Sequence, residues 1–300
     1  MKRRFFAFAV LALTLAACDR SDNENLYNDG RVAAEFNAAI STTRVNSEGT
    51  QWSEGDRIGI TGIDTDYNNI PYVLDENAKF SAEAETIYFA SDETITFRAY
   101  YPYQEAGGTV SVTTDTDNQG SGIDFLFASG ATGNMSEPQV NFRNENGRNE
   151  TDPAKDHSFH HSMSLIKFYF SVGEGVDFSE IIPTGYTVSG LKLAGTFNTE
   201  TGEALVATDT QAADLAMTID NKLTSQIIIF PQEATDDLTL TVQYNGQNYT
   251  AKPTKPAEGS FQAGSSYTYN VIVSNTKLEM SAVSVAPWEN GSTDNPYIEL

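Results

Sequence analysis

The sequence predicts an all-β protein built as two tandem β-sandwich domains, and three observations carry that reading. Apolar side chains recur at every second position in one segment after another, the period of a half-buried strand. Turn-forming pairs fall between those segments. The chain holds 14 Tyr, 17 Phe and 22 Gly, a composition that suits strands and tight turns better than helices. A length of 300 residues is consistent with two domains, since a single domain typically takes about 150.

The strands follow in order. Val32, Ala34, Phe36, Ala38 and Ile40 share one face of the first. Ile95, Phe97 and Ala99 repeat the pattern, as do Ile166, Phe168, Phe170 and Val172. Leu238, Leu240, Val242 and Tyr244 form another, and Tyr267, Tyr269, Val271 and Val273 the last long one. Ile227 to Phe230 is a continuous apolar run, the mark of a strand covered on both faces. Gly107-Gly108, Asn146-Gly147, Pro183-Thr184-Gly185 and Ala263-Gly264 read as turns. Asn245-Gly246, set between two alternating runs, predicts a two-residue hairpin. No window keeps a 3.6-residue apolar stripe for four turns, and the best helical candidate is the short stretch Ala212–Met217. The polar stretch Asn144–Asp156 holds no large apolar residue and divides the chain into 31–156 and 157–300.

Charge narrows the function. The 41 acidic and 18 basic side chains give a formal charge of −23. Nucleic acid is excluded as a partner on this ground, because phosphate binding needs clustered Lys and Arg. The single cysteine excludes an intramolecular disulfide framework and a thiolate-rich zinc site.

The first residues read as an address. Lys2, Arg3 and Arg4 precede an apolar stretch from Phe5 to Ala17, broken only by Thr14 and too short to span a bilayer. Leu15-Ala16-Ala17-Cys18 resembles a bacterial lipobox. The resemblance implies cleavage of residues 1–17 as a signal peptide and attachment of lipid at Cys18, where several acyl chains would anchor the protein stably. Residues 18–30 then form a polar leash. Asp19, Asp22 and Glu24 in it resemble, loosely, the surface-export signal of Bacteroidetes lipoproteins.

Seven further strings occur in order between about residues 45 and 288. Trp52, Gly55, Asp56, Ile58, Gly59 and Ile60 spell W-x-x-G-D-x-I-G-I. Tyr67-Asn68-Asn69 and Tyr72 come next. Phe97, Ala99, Tyr100, Tyr101, Pro102 and Tyr103 give F-x-A-Y-Y-P-Y, and Asp124, Leu126 and Ala128 give D-x-L-x-A. His161, Met163, Ser164, Ile166 and Phe168 form a later strand motif. Phe261, Ala263, Gly264, Tyr267 and Tyr269 follow, and Pro287-Trp288 closes the series. Together they resemble the fimbrillin (Mfa-like) family of Bacteroidetes.

That resemblance implies two transthyretin-like β-sandwich domains after a lipoprotein signal peptide, in a structural or accessory subunit of a type V pilus that serves adhesion. It implies other pilus subunits as partners through strand exchange, the outer membrane as a partner through the Cys18 lipid, an Arg-specific processing protease, and a host or bacterial surface ligand. Localisation follows as the cell outer membrane and then the surface fimbrium. No cofactor is called for.

The residues accommodate this mechanism. A sandwich lacking one strand leaves backbone N–H and C=O groups and an apolar slot unfilled. Val32, Ala34, Phe36, Ala38 and Ile40 have the length and alternation of a displaceable plug. Arg44 follows in a polar stretch, so cutting after it frees lipid, leash and plug together, whereas cutting at Arg31 leaves the plug in place. The candidate donor, or a terminal core strand, is Leu278–Val285. Leu278, Met280 and Ala282 share one face, Val283 and Val285 the other, and that change of phase requires a bulge or a break.

Rival sites are weaker. His157, His160 and His161 cluster with Asp156, but on a strand His160 and His161 point to opposite faces, which does not suit a metal. Asp64-Thr65-Asp66 and Asp115-Thr116-Asp117 resemble the start of calcium loops without the required closing Glu. No G-x-S-x-G, phosphate loop or H-E-x-x-H marks an enzyme. The alternative function is a surface glycan-binding lipoprotein of a polysaccharide uptake system, with Tyr100, Tyr101 and Tyr103 as its aromatic platform.

Overall fold

A computed structural model describes residues 30–41, 52–145, 152–219 and 223–288. It is built almost entirely of strands with a few 3-10 turns. Among the described residues the first sheet has eight strands. In spatial order they are Gln139–Phe142, Glu35–Ala38, Phe80–Ala82, Ile70–Leu74, Arg57–Gly62, Ile95–Tyr101, Leu126–Gly133 and His160–His161. Side chains from both ends of this sheet enter one core. Phe36, Val140 and Phe142 come from one end, Leu126, Ala128 and Ala131 from the other. The sheet is therefore folded over on itself, and a Cβ placed on Gly133 would meet Val140 at 2.8 Å.

The second half has two facing sheets. One carries Thr224–Ile229, Ser164–Val172 and Ser265–Val273, with Leu278–Met280 and Ser284–Pro287 sharing the outer flank of the last. The other is Ala212–Thr218, Gly185–Lys192, Thr239–Tyr244 and Gln247–Ala251. Ile166, Phe168, Tyr267, Tyr269 and Val271 from the first meet Tyr186, Val188, Leu240 and Val242 from the second. Ile227, Ile228, Ile229 and Phe230 are all buried, as their unbroken apolar run requires. The hairpin at Asn245-Gly246 forms with both residues at positive φ, 49° and 73°. That geometry matches strand twist and favours Asn-Gly.

One expectation is corrected. Ala212–Met217 is not helical: it lies in the edge strand Ala212–Thr218, paired antiparallel to Gly185–Lys192. Only Leu215 is buried there, so the backbone ladder and one anchoring side chain outweigh the helix preference of Ala, Leu and Met.

The halves are joined by a third core. Strand Thr109–Thr113 leaves the first half and pairs with Ala194–Asn198 of the second, which pairs in turn with Ala204–Val206. Around this small sheet Tyr100, Phe125, Leu165, Phe197, Phe230 and Trp288 are buried together, with Phe125 stacked on Phe197 at 4.3 Å. The chain stays with the first sheet through His160–His161 and enters the second half at Ser164–Val172.

Candidate functional site

Strand Glu35–Ala38 occupies an interior position. It pairs in parallel with Gln139–Phe142 on one side and meets Phe80 through Phe36 on the other. Just before it, Val32–Ala33 pairs antiparallel to Tyr88–Phe89. Just after it, Ile40 bridges Phe159 in parallel. The backbone is held at short intervals. Ala34 N–H donates to Ile87 O at 2.9 Å, Glu35 N–H to Pro138 O at 2.9 Å, Ala39 N–H to Phe142 O at 2.8 Å and Ser41 N–H to Phe159 O at 2.7 Å. Phe159 N–H donates in return to Ala39 O at 2.9 Å.

The side chains alternate as their sequence requires. Ala34 and Phe36 are buried, Val32, Ala38 and Ile40 are half-buried, and Asn37 is exposed, with its amide reaching Asn141 at 3.1 Å. Phe36 is only 3 % exposed. Its ring lies edge-on to Tyr72 at 4.9 Å and to Phe97 at 5.3 Å, and stacks on Phe142 at 6.3 Å. Burying such a ring is worth roughly 1.5–3 kcal/mol. Beside it, burial pushes the Tyr72 hydroxyl up to about 12, and that oxygen accepts a hydrogen bond from Ile87 N–H. The groove is thus apolar and aromatic, with a row of backbone groups along both walls.

Trp52 closes one end. Its indole N–H donates to Ala38 O at 3.0 Å, and its ring packs edge-on against Phe80, Tyr101 and Phe159. Sequence reasoning missed this contact, although the first tryptophan of the chain, 14 residues after Ala38, was a signal available for it. At the other end the Arg31 guanidinium lies 4.8 Å from the Tyr88 ring centre.

The candidate donor occupies a different place. Leu278–Met280 pairs with Val271–Val273, and Ser284–Pro287 pairs with Ser265–Thr268, so both pieces lie along one strand of the second half. Between them Ser281 N–H donates to Asn270 O, and the ladder breaks where the apolar phase changes. Leu278 is buried, Met280 and Val283 are half-buried, and Ala282 and Val285 are exposed. Trp288 ends the segment. Its ring stacks on His161 at 4.0 Å, His161 Nδ1 lies 2.7 Å from Asp124, and Trp288 N–H donates to Gly264 O. Cys18 and Arg44 lie outside the described residues.

The rival residues have structural partners. Tyr100 is buried in the junction core with its hydroxyl on Asn69, Tyr101 packs against Trp52, and Tyr103 lies under the Arg57 guanidinium. Tyr101 and Tyr103 are half-buried. His157 rests on Ser129 O and Glu145, and His160 on Asp156, whose carboxylate also accepts from Ser158. Burial pushes the Asp156 carboxyl up, but the Ser158 hydrogen bonds outweigh it and hold it below the usual range. Among the described residues no three His, Cys, Asp or Glu side chains stand together as a metal site.

Known proteins resemble the chain over most of its length. The model of a family described as fimbrillin-like matches residues 43–288. A relative from Bacteroides uniformis, named as the fimbrium subunit Fim1C, is 29 % identical over 313 residues and 97 % of each chain. A crystal structure named as a cell adhesion protein from Bacteroides ovatus superposes with a TM-score of 0.72 and 26 % identity, covering 86 % of this chain and 98 % of that one. A second such protein, from Bacteroides uniformis, gives 0.70 and 26 %, covering 87 % and 99 %.

Proposed function

The chain belongs to the fimbrillin-like family, and we propose that its N-terminal strand is a removable plug, exchanged for a strand of a neighbouring subunit as an adhesive fimbrium assembles. It is a structural subunit of the surface fimbrium, a family role that involves no catalysis. It is exported as a lipoprotein anchored at Cys18, and an Arg-specific protease cuts after Arg44 to release the anchor and plug together. The mature subunit comprises two sandwich units, with the chain passing from one to the other between His161 and Ser164, a little after the division near residue 156 that the sequence suggests.

One observation carries this reading: Glu35–Ala38 lies between two strands of its sheet, yet it comes from the beginning of the described chain. Its loss would uncover Phe142, Tyr72 and Phe97 together with the carbonyls of Ile87, Pro138, Phe142 and Phe159. An incoming strand running parallel to Gln139–Phe142, with a small side chain at the Ala34 position and a large apolar one at the Phe36 position, restores both. Such a contact dissociates slowly because the whole ladder must open at once.

Mass spectrometry of the assembled protein tests the cleavage. The expected N-terminus is Val45 without lipid, and Arg44→Ala is expected to retain the acylated Cys18 terminus and to block assembly. Normal assembly of that variant overturns cleavage at Arg44.

A further inference from the structure

The second sandwich has two outer strands on one flank, Thr224–Ile229 in one sheet and Ala212–Thr218 in the other. Unpaired outer strands invite pairing with another chain. In this protein a loop from the first half reaches across to both. The Gln119 side-chain amide donates to Ile228 O at 3.0 Å and accepts from Ile228 N–H at 2.8 Å. Three residues earlier, the Thr116 hydroxyl donates to Ala216 O at 2.8 Å and accepts from Ala216 N–H at 3.2 Å. Each side chain thus satisfies both backbone groups of one outer-strand residue, as the next strand of a sheet would.

The loop is braced for this. Asn118 N–H and its side-chain amide both donate to Asp115, and the same amide also reaches the Thr113 hydroxyl at 2.9 Å. Gln119 is held in turn by Thr114 O at 2.7 Å, and buried Thr114 donates its N–H to Leu193 O. The opposite flank is closed differently, by Tyr249, which packs on the core and donates to Asn275 O.

We infer that Thr116 and Gln119 are edge guards, which stop the second sandwich from pairing edge to edge with a second copy of this chain. The partner excluded is another copy because the exposed groups are backbone: an outer strand can pair with its own counterpart about a two-fold axis whatever its side chains. In an antiparallel ladder the outward-pointing groups recur at every second residue, so Gln226 and Thr224 present theirs on the same edge as Ile228. Guarding Ile228 leaves outward-facing backbone groups on this strand only at Thr224 and Gln226, both polar residues. The guards act whether or not the N-terminal strand is exchanged. Where it is exchanged, they restrict strand addition to the N-terminal groove.

The test uses the full chain carrying Arg44→Ala, kept uncut so that the N-terminal groove stays plugged. Thr116→Val with Gln119→Leu removes both guards while keeping side-chain volume. Sedimentation across a concentration series is expected to show dimers that the guarded chain does not form. At low concentration the Ile228 and Ala216 amides should exchange about tenfold faster or more, and the Ile228 amide should regain protection as dimer forms. Should the double variant not fold, Gln119→Asn, whose shorter amide cannot reach Ile228, is expected to give the same response at Ile228 alone. A folded variant that stays monomeric over the same range, or dimers that protect neither the Ile228 nor the Ala216 amide, would overturn the inference.

Discussion

The two halves fill their interiors in different ways. In the first, an aromatic core centred on Phe36, Tyr72, Phe97 and Phe142 is completed by a strand from the beginning of the described chain, inserted between two others. In the second, the core is built from strands that all lie within residues 164–280, and the last segment lies along an outer flank. The difference is one of dependence. Withdrawing residues 31–41 opens the middle of a sheet, whereas withdrawing the last segment uncovers one side of Ser265–Val273. Similar β architecture therefore combines a half completed by a strand from the beginning of the described chain with a half that completes itself.

The largest expected effect is at Phe36. Phe36→Asp sets a carboxylate among three aromatic rings with no partner, and is expected to lower stability by more than about 4 kcal/mol. Urea denaturation measures it, and an unchanged midpoint would mean that the strand does not complete the first core. Leu278→Ala in the second half is expected to cost about 2–3 kcal/mol, near the low end for buried leucine because the site lies at a flank. Amide exchange should then quicken around Val271–Val273 and leave Gln139–Phe142 unchanged. Equal loosening of both halves would erase the proposed contrast. Trp52→Phe keeps an aromatic ring but removes the donor to Ala38 O, with an expected cost of about 1 kcal/mol. Exchange of the Ala39 and Ser41 amides reads that loss, and unaltered rates there would deny Trp52 its role at the end of the groove.

Much of this was legible in the sequence. The alternation from Val32 to Ile40 marks the inward face of the first strand, and Ala34 and Phe36 are buried accordingly. The phase change between Met280 and Val283 marked a real break, because a continuous strand cannot put both sets of side chains on one face. Ala212–Met217 misled because helix-forming residues are tolerated on an exposed strand once a neighbour supplies the ladder. The junction left no local trace. Thr116 meets Ala216 and Gln119 meets Ile228 across 100 and 109 residues, and no period or turn signal encodes such a pairing. His161 reads in the sequence as one of a histidine cluster and part of a strand motif, and only the fold sets Trp288 flat against it.

The most direct measurement of strand exchange is the size of the chain after it is cut with an Arg-specific protease, followed by ultracentrifugation with and without excess synthetic peptide of residues 31–41. Cutting is expected to produce oligomers, and the peptide to refill the groove and hold the chain monomeric. A cut chain that loses residues 31–41, remains monomeric and binds no peptide would contradict the account.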